Sequence, residues 1–188
     1  MNNRQTIKVW DPLVRLFHWG AVITFAICYF TQEQSYENHL LSGYILLGIT
    51  FIRILWGFVG SSYARFSDFI YTPKKILCHL RSLLNCHPRR YLGHNPAGGA
   101  MIILLLFAII TITLSGIALD AAENRAGPLG DSSLFQYLST LQMIHNISTN
   151  ITLALIAIHL LGVATTSLLS KENLTRAMIT GNKPREPK

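Results

Sequence analysis

Charged residues are scarce in this sequence. Asp, Glu, Lys and Arg make up 13% of its 188 residues, and half of all residues are hydrophobic, whereas an ordinary soluble domain is roughly 25% charged. This composition excludes a disordered or fibrous protein and argues against a soluble enzyme. The length is that of one domain, so we predict a single domain over residues 1–188.

Cysteines and catalytic motifs are scarce as well. Cys28, Cys78 and Cys86 lack the C-x-x-C spacing of zinc and redox sites and the C-x-x-C-H motif of covalent haem attachment, so they predict unpaired thiols. The sequence also lacks a P-loop, a G-x-S-x-G motif and an H-E-x-x-H motif. This excludes the nucleotide-binding and hydrolase classes that depend on those motifs, and we assign no catalytic residues.

Four long apolar segments dominate what is present. They cover residues 13–30, 40–59, 97–119 and 144–169. Each has at least about 18 residues, enough for a helix rising about 1.5 Å per residue to cross a hydrocarbon core about 30 Å thick. A spanning segment must satisfy its own backbone hydrogen bonds, so the segments predict helices. The predicted fold class is an all-α integral membrane four-helix bundle.

The charges between these segments predict their orientation. The formal net charge is +7, and the positive residues gather near both termini and in the loop 61–95. Because positive loops face the cytoplasm, we expect both termini and this loop to be cytoplasmic in a multi-pass protein of the bacterial inner membrane. Contact with membrane lipid accounts for the basic charge without a nucleic-acid partner. The opposite side carries the acidic residues Glu33, Glu37, Asp120, Glu123 and Asp131.

Two loops are predicted to contain short helices. Thr72 and Pro73 form a helix-start signal, and apolar residues recur at helical spacing up to Leu84, with basic residues between them. This pattern predicts an amphipathic helix on the cytoplasmic membrane surface. On the opposite side, we expect Asp131 to cap a short helix over residues 132–140.

Two histidines of the fourth segment carry the strongest chemical signal. His145 and His159 are 14 residues apart, close to four helical turns, so both face one side of the helix about 21 Å apart along its axis. Ionisable residues inside a membrane are costly and usually functional. Two imidazoles at this spacing suit the axial ligands of two stacked haems, whereas a metal-ion permease needs ligands closer together.

Membrane depth predicts the second ligand of each haem. His39 begins the second segment on the outer side, where His145 lies, and His18 lies early in the first segment on the inner side, towards His159. We therefore predict that His39 and His145 bind the iron of an outer haem, and that His18 and His159 bind the iron of an inner one.

Three further residues of the second segment are candidate haem contacts. Arg53 lies 14 residues after His39, one haem level further in, where a guanidinium can pair with a haem propionate; the alternative is that it reaches the inner interface. Gly43 and Gly57 are also 14 residues apart. They let a porphyrin approach the backbone or, alternatively, allow close helix packing.

The other histidines have less specific interpretations. His79 and His87 lie in the basic loop, and we expect them to be solvated. His94 stands directly before the third segment, in Gly93-His94-Asn95-Pro96. We expect it to cap that segment at the interface, and contact with a propionate or a quinone is the alternative.

An ordered set of short motifs extends over nearly the whole chain. The set comprises Val9-Trp10-Asp11-Pro12, Arg15-Leu16-Phe17-His18-Trp19, His39-Leu40-Leu41-Ser42-Gly43-Tyr44, Arg53-Ile54-Leu55-Trp56-Gly57, Ala64-Arg65-Phe66, Gly93-His94-Asn95-Pro96-Ala97-Gly98-Gly99 and the His145/His159 pair. Over roughly residues 7–170 the sequence therefore resembles the prokaryotic cytochrome b561 superfamily, which includes the b-type cytochrome subunits of nickel–iron hydrogenases.

The resemblance implies a cofactor set and a function. It implies two haem b groups, each held by two histidines in a four-helix bundle, and by position it assigns His18, His39, His145 and His159 as the ligands. It also implies electron transfer across the inner membrane, commonly between the quinone pool and a periplasmic redox partner. Quinone is therefore a further candidate ligand, and the chain is either an electron carrier or a subunit of a quinone-linked oxidoreductase.

Two alternatives to this function remain open. The first keeps the haems and makes the chain the membrane anchor and electron-transfer subunit of a hydrogenase-like complex. The second, from another class, is a haem-free transporter or structural membrane protein. The acidic outer residues predict docking of a basic periplasmic cytochrome c or an oxidoreductase subunit, and the sequence leaves a homodimer open.

Overall fold

The computed structural model describes residues 6–85 and 89–185. Helices make up most of it, and two short strands lie near its ends. The α-helices are α1 (Pro12–Thr31), α2 (Tyr36–Val59), α3 (Phe66–Phe69), α4 (Pro73–Leu84), α5 (Pro96–Asn124), α6 (Leu138–Ser170) and α7 (Leu174–Thr180). Short 3-10 helices cover Ser62–Ala64 and Ser133–Tyr137, and the strands are β1 (Thr6–Lys8) and β2 (Asn182–Pro184).

Four of these helices, α1, α2, α5 and α6, are long and apolar enough to cross a membrane. This confirms the prediction of an all-α membrane protein, and the four helices fit a helical bundle. They are longer than the apolar segments: α2 begins at Tyr36, α5 continues to Asn124 and α6 begins at Leu138. The added turns are more polar, so the hydropathy pattern ends earlier than the helical hydrogen bonding does.

The chain divides into two compact units. The first comprises Met1–Trp19, Ile52–Ile103 and Ala157–Lys188, and the second comprises Gly20–Phe51 and Leu104–Ile156. The long helices therefore contribute one part to each unit. His18 and His159 belong to the first unit, and His39 and His145 belong to the second.

The core of the first unit joins the two ends of the chain. β1 pairs antiparallel with β2, with Ile7 opposite Lys183. The backbone amides of Val9 and Trp10 then donate to the carbonyl of Gly181 at 2.8 and 3.0 Å. Gly181 has φ +84° and ends α7 in the left-handed conformation that favours glycine. The buried cluster beside this turn contains Val9, Trp10, Val14, Ala64 and Ala177.

Asp11 connects the start of α1 to the end of α2. Its Oδ1 accepts a hydrogen bond from the Val14 amide at 2.8 Å, which caps α1. Its Oδ2 accepts from the Trp56 indole N–H at 3.2 Å and from the Ser61 hydroxyl. Partial burial raises the pKa of this carboxyl, but the hydrogen bonds outweigh burial, and the pKa is lowered overall.

The loop between α2 and α5 contains the predicted amphipathic helix, α4. It starts at Pro73 as expected, although the Thr72 side chain makes no capping hydrogen bond. Leu77, Leu80 and Leu84 are exposed on it. The prediction that His79 is solvated is wrong, because His79 is buried and its ring centre lies 5.5 Å from that of Tyr91, with the two planes nearly perpendicular.

The loop between α5 and α6 differs from its prediction. A 3-10 helix over Ser133–Tyr137 replaces the short helix expected over 132–140, and it runs directly into α6. Its N-cap position is Ser132, not Asp131, and the Ser132 side chain makes no capping hydrogen bond. The loop instead has a cation–π contact, with the Arg125 guanidinium 4.1 Å from the centre of the Phe135 ring.

Candidate metal centres

The second unit brings His39 and His145 together. His39 lies in the first turn of α2 and His145 lies on α6. Their ring centres are 6.3 Å apart and their planes are inclined by 80°. Both rings line a cavity whose walls also include Cys28, Gly43 and Gly116.

The first unit brings His18 and His159 together in a similar way. His18 lies on α1 and His159 on α6. Their ring centres are 6.4 Å apart, with the planes inclined by 53°. These are the two pairs of histidines that membrane depth predicts.

Both separations fit a metal ion held between two imidazoles. A metal–nitrogen bond to histidine is about 2.0–2.1 Å, as for zinc, and with ring bonds of about 1.33 Å each ring atom lies about 1.1 Å from the ring centre. Two rings on opposite sides of one ion then have centres about 6.3 Å apart. Over residues 6–85 and 89–185 no group of three or more His, Cys, Asp or Glu side chains is arranged to hold a metal.

The tautomer of His39 leaves Nε2 free to bind a metal. Its Nδ1 lies 2.8 Å from the carbonyl oxygen of Cys28, which can only accept a hydrogen bond. Nδ1 therefore carries the proton, and Nε2 keeps its lone pair. The Cys28 thiol lies 3.5 Å from the same Nδ1. The acceptor is available because Cys28 lies in the last turn of α1, where backbone carbonyls lack helical partners.

Nδ1 of His145 also has a hydrogen-bond acceptor, which is a serine of α5. The Ser115 hydroxyl lies 3.0 Å from the carbonyl of Ile112 and donates to it. Its oxygen is then free to accept from Nδ1 of His145, 3.2 Å away. The neighbouring residue must be small, since a Cβ on Gly116 would lie 3.1 Å from Cε1 of His145. Sequence reasoning missed Ser115 and Gly116, whose signal is a pair of small residues in a strongly apolar helix.

The two candidate glycines have different surroundings. A Cβ on Gly43 would meet nothing within 4 Å, and Gly43 lines the cavity beside His39. A Cβ on Gly57 would overlap the ring of Phe66. Gly43 therefore borders open space, whereas the surroundings of Gly57 fit the close-packing alternative.

Arg53 is buried in the first unit and does not extend to solvent. It is 8% exposed. Its Nη2 donates to the Ala64 carbonyl at 3.1 Å, and its guanidinium lies 5.5 and 6.0 Å from the ring centres of Phe66 and Phe69. Nη1 is buried and has no hydrogen-bond partner in the described part of the chain. This nitrogen is a candidate contact for an anion, because a buried unpaired charge is costly.

His94 does not cap α5 as expected. That cap is Asn95, whose side-chain oxygen accepts from the Gly98 amide at 2.7 Å. The His94 ring instead lies 4.4 Å from Trp10 and 4.8 Å from Phe69, centre to centre. Burial lowers the pKa of His94 to about 3, and the charges of Arg53 and Lys183 act in the same direction. His94 is therefore neutral at physiological pH.

One of the acids expected in the outer loops is not available to a partner. Asp120 lies within α5 and is 4% exposed. Its Oδ1 accepts hydrogen bonds from the Tyr36 hydroxyl and, at 3.0 Å, from the Asn124 side chain. The other four acids are exposed. Cys28 and Cys78 are free thiols, and the predictions for Cys86 and His87 lie outside the described residues.

Comparisons with known proteins place this arrangement in a family. A family profile described as "Prokaryotic cytochrome b561" matches residues 9–181. A probable Ni/Fe-hydrogenase B-type cytochrome subunit of Rhodobacter capsulatus is 24% identical over 97% of this chain and 83% of its own length. Proteins with the same description from Rhizobium leguminosarum bv. viciae (22%) and Azotobacter chroococcum mcd 1 (24%) match 96% of this chain and 90% of their own lengths.

No solved structure matches the chain significantly. The family profile nevertheless covers most of the sequence and contains all four paired histidines. With four helices able to span a membrane, the protein is a multi-pass bacterial membrane cytochrome that binds haem b and transfers electrons. The chain belongs to the prokaryotic cytochrome b561 family.

Proposed function

We propose that the protein carries electrons across the bacterial inner membrane through two haem b groups. His39 and His145 hold one haem near the outer surface, and His18 and His159 hold the other near the inner surface. Both termini are cytoplasmic. The electrons pass between the quinone pool and a redox partner in the periplasm.

The observation that carries the ligand assignment is the spacing of the two histidine pairs. Ring centres 6.3 and 6.4 Å apart suit one metal ion between each pair. In the outer pair, each Nδ1 has an acceptor of its own, so each ring offers Nε2 to the iron. Histidines packed against each other for structural reasons have no need of this common tautomer.

Arg53 and Gly43 complete the proposed sites. The unpartnered Nη1 of Arg53 donates to a propionate of the inner haem, which neutralises the buried guanidinium. The open space beside Gly43 admits an edge of the outer porphyrin. Gly57 makes no cofactor contact in this proposal, because its face is filled by Phe66.

The ligand set restricts the chemistry to electron transfer. When bound, haem b supplies a one-electron redox couple. His39 with His145 and His18 with His159 would hold the two haems, which would supply electron transfer and would bind neither oxygen nor substrate. The surrounding apolar helices exclude water, and the protein adjusts the potential through ligands, hydrogen bonds and burial.

A second candidate function makes the chain a subunit of a hydrogenase-like complex. It is supported by the description of the relatives as probable Ni/Fe-hydrogenase B-type cytochrome subunits. In this case the periplasmic partner is a permanently bound oxidoreductase and not a diffusing cytochrome c. The exposed acids of the outer side offer a docking surface for either partner.

Single histidine substitutions test the ligand assignment. Replacing any one of the four histidines by alanine should reduce the haem content of the purified protein from two per chain to one, since one axial ligand is lost. His79→Gln is the matched control, because His79 is also buried but lies outside both pairs, and it should keep two haems. Retention of two haems in His39→Ala would contradict the proposal.

Electron delivery distinguishes the two candidate functions. In vesicles containing the purified protein, a quinol should reduce the haems and an external basic cytochrome c should reoxidise them if the chain acts alone. If the chain is a complex subunit, an oxidoreductase should co-purify after mild solubilisation and donate electrons to the haems. Failure of quinone or quinol to exchange electrons with the haems would contradict both.

A further inference from the structure

The two histidine pairs differ in what surrounds their Nδ1 atoms. His39 donates to the Cys28 carbonyl at 2.8 Å, at the negative C-terminal end of α1. His145 donates to the Ser115 hydroxyl, whose own proton is used on the Ile112 carbonyl. In the other pair, Nδ1 of His18 is buried and has no acceptor among the described residues.

The unit that contains His18 and His159 also contains the buried cation of Arg53. Arg53 forms no close ion pair in the described part of the chain, where the ion pairs join Glu172 to Arg90 and Lys183, and the charge of Asp11 acts on it from a greater distance. His94 is close enough to Arg53 and His159 for the charges of both to lower its pKa. Among the described residues, no Lys or Arg lines the cavity beside His39 and His145, whereas Arg53 belongs to the same unit as His18 and His159.

The Nδ1 acceptors and the cation act on different haems: the acceptors lower the potential of one, and the cation raises the potential of the other. A hydrogen bond from Nδ1 to an acceptor makes an imidazole a more basic ligand, which stabilises the ferric state and lowers the potential. A nearby cation opposes the extra positive charge of the ferric state and raises the potential. Both effects therefore place the His39–His145 site below the His18–His159 site.

We propose that Ser115 and the Cys28 carbonyl hold the midpoint potential of the haem at His39–His145 below that of the haem at His18–His159. The inference rests on the proposed haem ligation. At equilibrium a single electron in the protein then occupies the His18–His159 site preferentially. Ser115 is a positioning residue in this account: it acts on the iron through His145 and touches no substrate.

A potentiometric titration of the purified, haem-loaded protein tests the proposal. The wild type should show two one-electron components. Loss of one hydrogen bond changes an equilibrium constant by roughly three- to tenfold, and tenfold is about 59 mV for one electron. Ser115→Ala should raise the lower component by up to this amount and leave the upper one unchanged, whereas Arg53→Gln should lower only the upper one.

Two further variants serve as controls. Ser115→Thr keeps the hydroxyl acceptor and should restore the wild-type potential. Thr111→Val removes an α5 hydroxyl that donates to the Phe107 carbonyl at 2.9 Å, and it should change neither component. If Ser115→Ala loses haem, Ser115→Cys takes its place, because a thiol is a weaker acceptor of similar shape, and the lower component must again rise.

The inference is overturned if Ser115→Ala moves the upper component, moves neither, or acts like Ser115→Thr. The inference is also overturned if the two haems titrate with the same midpoint potential. These results are separate from failure of the ligand assignment, which would appear as fewer than two haems in the wild type or as haem retained in the histidine variants.

Discussion

His94 gives this protein a measurable pH dependence of stability. Burial lowers the pKa of the folded imidazole to about 3, whereas the unfolded ring has a pKa of about 6.5. The unfolded chain therefore binds the extra proton between these values, so stability is unaffected above about pH 6.5 and falls as the pH drops towards 3. At about 1.36 kcal/mol per pH unit, the loss between pH 7.5 and pH 5 is about 2 kcal/mol.

Thermal unfolding of the detergent-solubilised protein measures this loss. A change of 1 kcal/mol shifts Tm by about 2–4 °C in a chain of this length, so the wild type should lose about 4–8 °C more than His94→Gln between the two pH values. Thr152→Val is the control: it alters a fully buried side chain of the other compact unit, and it should change Tm equally at both pH values. An equal pH dependence in His94→Gln and the wild type would refute the neutral, buried imidazole.

Three other predictions concern the ends of the helices, the glycines and the outer surface. Asp11→Asn and Trp56→Phe should be coupled by at least about 0.5 kcal/mol in a double-mutant cycle of unfolding, since both remove one hydrogen bond; additive effects would contradict this. Gly43→Ala should lower haem content without lowering the stability of the protein part, whereas Gly57→Ala should destabilise it by about 1–3 kcal/mol through overlap with Phe66; the reverse result would exchange their roles. Neutral replacement of the exposed outer acids should slow reduction of a basic partner at low salt and not at high salt, and an unchanged salt dependence would exclude docking there. These acids are Glu33, Glu37, Glu123 and Asp131.

Most of the helical architecture was predictable because it depends on local sequence. About twenty consecutive apolar residues specify a spanning helix without reference to the rest of the chain. The pairing of histidines needed only helix periodicity and membrane depth, and the structure brings His39 to His145 and His18 to His159. The amphipathic helix α4 followed from its apolar spacing and Pro73.

The errors concern features that depend on tertiary contacts. His79 and His94 stand in polar, basic surroundings along the sequence, but the rings of Tyr91, Trp10 and Phe69 bury them. Asp120 follows the apolar segment, although the helix continues beyond it.

The hydrogen-bond acceptors of the histidine Nδ1 atoms could not be predicted from the sequence either. Ser115 contacts a residue that is distant in the chain, and the acceptor for His39 is a backbone carbonyl at the end of α1. Hydropathy and helical periodicity describe side chains along one segment, so they carry no information about which backbone atom of another segment lies nearby.

We propose that each chain holds two haem b groups between paired histidines. A reduced-minus-oxidised absorption spectrum of the purified wild-type protein, with haem quantified per chain, tests it most directly. Sharp b-type bands with two haems per chain are the predicted result. One haem per chain would show that one pair is not a ligand pair, and absence of haem after expression with adequate haem supply would contradict the account.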